Sequence, residues 1–164
     1  MGMSVQEVDD KIVKNGGFLA VMYFDIHGNS PDILQNSMVE MVGRLTQEPG
    51  VVYATGEVEK PIEYDGMHST SAQVRILAKD LNSVINLCFR YGPIGIDLLR
   101  PEEVKLSLPQ LHDILLNISQ TSHEYTQFIF DKLMTPEDRL NFNKQLINKA
   151  ELAKRIIEKR KEKK

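Results

Sequence analysis

The chain has 164 residues, 41% hydrophobic and 26% charged, with a formal net charge of −3, a balance that suits one globular domain and makes no general case for nucleic-acid or membrane binding. No apolar run approaches the ~20 residues of a membrane span, and the polar, acidic start MGMSVQEVDDKIVK is no secretion signal. A single cysteine, Cys88, excludes an internal disulfide and a cysteine-based zinc cluster, so the expected setting is the cytoplasm.

Ser4-Val5-Gln6-Glu7 has the form of a capping box, and Val5, Val8 and Ile12 follow at helical spacing. A short N-terminal helix within residues 1–16 is expected to end at Asn15-Gly16-Gly17, where glycine takes a left-handed C-cap. Phe18 to Ile26 (FLAVMYFDI) is then a nearly uncharged run, rich in aromatic and β-branched residues, and it stops at His27-Gly28-Asn29-Ser30-Pro31. Neither of its alternating faces is polar before Asp25, the pattern of a central strand covered above and below. Asn29 or Ser30 is expected to cap a helix with Pro31 in its first turn, whose stripe Ile33, Leu34, Met38, Met41, Val42 and Leu45 would pack on a sheet.

Val51 to Glu59 reads as a second strand and Ser69 to Ala78 as a third, with Lys60 to Met67 as a long hairpin loop. Asp80 caps a second core helix, with Leu81, Val84, Ile85, Cys88 and Phe89 facing inward. Cys88 there is an inert core residue rather than a nucleophile. Tyr91-Gly92-Pro93 stops this helix, and Ile94 to Leu99 is the fourth strand. The order strand–helix–strand–strand–helix–strand predicts an α+β, ferredoxin-like βαββαβ core over residues 17–101, an antiparallel sheet with strands one and three in the middle.

Both core helices would lie on one sheet face, so Leu19, Val21 and Tyr23 on the other need a cover. The C-terminal extension, residues 102–164, offers two helices: one from Ser107 or Pro109 to about Met134, and one started by Thr135-Pro136-Glu137-Asp138. They are expected to cover the open face of their own sheet or to meet a second subunit, and a homo-oligomer is the preferred reading. Lys149 to Lys164 contains eight basic and three acidic residues, +5 in all, which leaves −8 on residues 1–148. That basic end reads as a solvated tail, with nucleic-acid binding as the alternative.

Three places carry candidate chemistry. Asp25, His27, Gly28 and Asn29 join the central strand to a helix N-terminus, where backbone amides favour an anion, Asp25 takes an amino group and His27 or Asn29 donates; a plain capped turn is the competing reading. His27, His68, His123 and Glu124 would make a metal centre only if the fold gathers them, since no HExxH or CxxC spacing is present. Ser119-Gln120-Thr121-Ser122-His123-Glu124 places Ser119, Ser122 and His123 on one helix face, a polar patch suited to a helix interface. No P-loop, GxGxxG or GxSxG motif occurs, and no cofactor is specified.

The apolar strand ending in Asp25, its Gly28-containing turn and the helix after it resemble the start of an ACT domain, and Glu48-Pro49-Gly50-Val51-Val52-Tyr53-Ala54-Thr55-Gly56 resembles the entry to the second strand of a RAM domain. The resemblance spans Phe18 to Leu99 and implies a non-catalytic module that binds an amino acid or similar effector between subunits. The expected function is thus oligomeric ligand sensing or protein interaction, with a small metal-dependent enzyme as the alternative.

Overall fold

The structure is a computed structural model and describes residues 4–161; the side chains of 146, 149, 150 and 152 onward lie outside the described set. The elements are α1 (Val5–Lys14), β1 (Phe18–Gly28), α2 (Pro31–Leu45), β2 (Val51–Val58), β3 (Ile62–Tyr64), β4 (Met67–Ala78), α3 (Leu81–Tyr91), β5 (Gly95–Arg100), α4 (Leu108–Leu133) and α5 (Pro136–Lys161). Local chemistry sets several of their ends. Ser4 and Glu7 form a complete capping box on α1, Asp80 accepts from the Ser83 amide at the start of α3, and Gly92 closes α3 in the left-handed conformation.

β1 is hydrogen-bonded on both sides, and the sheet runs β2-β4-β1-β5 with every pairing antiparallel. β3 continues along the edge of β4 that β2 also uses, after a break at Lys60-Pro61 where proline has no N–H to give. The expected long loop from Lys60 to Met67 is therefore corrected. Tyr64 pairs directly with Met67 across a two-residue turn, Asp65 and Gly66 both at positive φ (52° and 77°), the pairing that matches the twist of a tight hairpin.

One face of the sheet carries Phe18, Met22, Phe24, Ala72, Val74 and Ile76, buried against Met38 and Leu45 of α2 and Val84 and Leu87 of α3. The opposite face is covered at one end by α1, through Asp9 and Asp10, and Leu19 and Leu77 are buried there. Cover by the N-terminal helix was not expected from the sequence. Its position follows from the two-glycine link: Gly17 runs so close to Ile12 and the Ala78 carbonyl that a Cβ there has no room.

The chain divides into two compact units between Thr121 and Ser122, inside α4. In the first unit, the early turns of α4 pack beside α3, where Asn117 and Thr121 donate to the Asn86 side-chain oxygen and Ile114 is buried. In the second, Thr135 caps α5 through the Asp138 amide, Arg139 pairs with Asp131, and the Phe130 and Phe142 rings lie 4.5 Å apart. No helix among the described residues is long and apolar enough to cross a membrane.

Candidate functional site

Residues paired across a sheet share a face, and neighbours along a strand alternate. Asp25 pairs with Ser71 and His27 with Ser69, so both side chains lie on the face opposite α2 and α3. Asp25 accepts from the Ser69 hydroxyl at 2.8 Å, and its other oxygen is 3.2 Å from His27 Nε2. The imidazole is 59% exposed and the carboxylate 26%, so the pair stands at the surface with one end in water. Gly28 belongs to the strand rather than to a turn, pairs with His68 and is backed by the Leu34 side chain. Asn29 is exposed in the turn that follows.

Ser30 is the N-cap of α2, but its side chain makes no capping bond. The first-turn amides therefore receive no side-chain acceptor from it, while Pro31 removes one of them. The four residues expected to act together are thus divided. Asp25 and His27 touch on one face, Gly28 turns to the other, and Asn29 lies beyond the strand end.

The expected metal centre is not assembled. His27 and His68 occupy opposite faces because their register partners are Ser69 and Gly28, and His123 and Glu124 belong to the second compact unit. Among the described residues no group of three or more His, Cys, Asp or Glu is placed to hold a metal ion. Among the described residues, His68 Nδ1 and Gln35 Oε1 are buried without hydrogen-bond partners. In the polar run of α4, Thr121, with Asn117, meets Asn86 of α3, and Ser119, Ser122 and His123 are exposed. Cys88 packs against the core, and burial pushes its thiol up. The basic end from Lys149 to Lys164 has its basic side chains, and all of residues 162–164, outside the described residues.

The far sheet face holds an arrangement that spacing alone did not reveal. Asp9 of α1 is 3% exposed and accepts from the Tyr53 hydroxyl at 2.7 Å and from Arg75 at 3.0 Å. Arg75 also donates to the Tyr53 oxygen, and both bonds raise the guanidinium pKa; burial raises that of Tyr53. Farther along the face, the Tyr23 hydroxyl donates to Asp97 at 2.9 Å, a bond that raises the phenol pKa. Between these lies a shallow depression of about 440 Å³ with Thr55, Glu57, Gln73 and Arg75 around Val21. The available signal was the period-two run of Tyr53, Thr55 and Glu57 beside Gln73 and Arg75, which puts polar groups on one face. Asp9 carried no such signal, since it sits in a separate helix.

β5 is an edge strand. Ile94, just before it, is 71% exposed, and Ile96 and Leu98 are 39% and 54% exposed although their register partners Met22 and Ala20 are buried. Leu99, at the register shift opposite Leu19/Ala20, is exposed as well.

No curated protein and no solved structure matches the chain. A protein-family match covers residues 19–160, from β1 into α5, and gives no link to ACT or RAM domains. By that match, which covers most of its length, the chain belongs to the MJ0538 family.

Proposed function

We propose that this protein is a non-catalytic, cytoplasmic module whose ferredoxin-like core self-associates through β5 and answers to a small effector at the end of β1, as its resemblance to ACT and RAM domains implies. The observation that carries the reading is β5. Among the described residues it has one unpaired backbone edge, and its apolar residues Ile94, Ile96 and Leu98 stay in water on the side where α2 and α3 cover the rest of the sheet. A second copy of this chain is the occupant that fits, because a strand edge is complementary to an antiparallel copy of itself about a twofold axis.

The effector side of the reading is supported by Asp25 and His27, whose carboxylate and exposed imidazole suit an amino group and an anionic group on the sheet face away from α2. Light scattering on the full chain is expected to give at least a dimer, and Ile94→Lys with Leu98→Lys to give a monomer with unchanged circular dichroism. A monomeric wild type over the micromolar range removes the proposal. In a melting-temperature screen against the common amino acids, at least one stabilising compound is expected whose binding Asp25→Ala weakens at least tenfold by calorimetry. Unchanged binding would move the effector away from β1.

A further inference from the structure

A second concavity lies in the first unit, away from Asp25 and His27. It is a cleft of about 350 Å³ between the end of α1, the start of α3, the 101–106 loop and the first turns of α4. That volume is in the range of small-molecule sites. Its apolar wall is Phe18, Leu81, Val104, Leu106 and Ile114, of which Val104 and Leu106 remain about half exposed. Such side chains leave water only when something fills the space between them.

The polar side of the cleft favours positive charge. Asp80, Glu103 and Asp113 line it against Lys14 and Lys105, and none of the five forms an ion pair among the described residues. The amide oxygen of Asn82, also in the wall, is buried and accepts no hydrogen bond among the described residues. A buried acceptor without a donor is unfavourable, and it is most simply satisfied by an N–H brought in by a ligand. An anion is poorly served at the same place. The start of α3 is already capped, since Asp80 accepts from the Ser83 amide and hydroxyl, and the capping carboxylate itself repels negative charge.

We propose that this cleft binds a small molecule made of an apolar body and an ammonium group, the body against Phe18, Leu81 and Ile114 and the ammonium toward Asn82 Oδ1 and Asp80. A free amine and an amino acid share this chemistry, and the test separates them. The full-length protein is titrated by calorimetry with 2-phenylethylamine, phenylalanine and 3-phenylpropionate.

Binding of the amine, the amino acid or both, with 3-phenylpropionate at least tenfold weaker, is the expected result. The amine alone identifies a simple ammonium ligand; phenylalanine binding more tightly assigns the lysines to its carboxylate. Asn82→Leu should retain the fold, because it removes an unsatisfied polar atom, and should weaken binding at least tenfold. Leu106→Lys, at a half-exposed position, places a competing ammonium at the cleft and should abolish binding without changing the melting temperature of the free protein. Asp25→Ala should leave this binding intact, which separates the cleft from the site at the end of β1. The inference is overturned if none of the probes binds at millimolar concentration, if 3-phenylpropionate binds as well as the amine, or if Leu106→Lys leaves binding unchanged.

Discussion

The two faces of the sheet solve the same problem with different chemistry. On one, β1 and β4 contribute Met22, Phe24, Val74 and Ile76 to a dry layer under α2 and α3, and its energy is mainly apolar area removed from water. On the other, α1 covers one end, and the buried Asp9 is held by Arg75 and Tyr53 instead of by apolar packing. Past that clasp the second face is polar and in contact with water. A dry layer tolerates small volume-conserving changes but not cavities, whereas a buried carboxylate depends on keeping its partners. The covered face thus holds most of the buried apolar area, and the second face keeps polar groups exposed.

Core truncation should break the comparison most severely. Met22→Ala, at a side chain with no exposure, is expected to destabilise by about 2–5 kcal/mol in denaturant unfolding, whereas Gln73→Ala on the open face should stay within about 0.5 kcal/mol. Similar costs at the two positions would mean that something covers the second face in solution.

Arg75→Ala comes next. Among the described residues it leaves Asp9 buried with the Tyr53 hydroxyl as partner, and about 2–3 kcal/mol is expected, below the full effect of an orphaned interior charge because the arginine is 44% exposed. Asp9→Asn with Arg75→Ala should recover part of that loss if the unpaired charge is its cause, and a double-mutant cycle reads the recovery.

The smallest effect lies at the rim of the covered face. Glu48 accepts from Tyr91 at 2.6 Å and from Arg90 at 2.7 Å. Burial, and then the bond to Glu48, push the Tyr91 phenol up to about 12 from its ordinary 10. The raised folded value means that the folded state holds the proton more tightly. The stabilisation is therefore complete below pH ~10 and is lost as pH rises toward ~12. Tyr91→Phe should cost about 1–2 kcal/mol at neutral pH and flatten the fall between pH 10 and 12 relative to wild type. Parallel alkaline curves for the two proteins would show that Tyr91 titrates normally.

Much of this architecture is written in local pattern. The Ser4–Glu7 box, the Asp80 cap, the glycine ends and the uninterrupted apolar run of β1 each act over a few residues, so periodicity and capping chemistry were enough to place the elements. The antiparallel sheet with β1 and β4 at its centre follows from those elements and from short, right-handed connections. The tight Asp65-Gly66 turn was equally local. Pro61 interrupts the strand that leads to it, so the pattern of residues 60–67 reads as a single loop.

Only the tertiary structure decided the rest, because it depends on register and on partners far apart in sequence. One strand step decides that His27 and His68 face apart while Asp25 and His27 share a face. Asp9 meets an arginine 66 residues away, and no spacing rule reaches that far. The cover of the second sheet face came from α1 because two glycines let the chain fold back on itself, a consequence visible only once β1 had a neighbour. The cleft at Asn82 likewise exists only where α1, α3 and the 101–106 loop converge, since each supplies just one side of it.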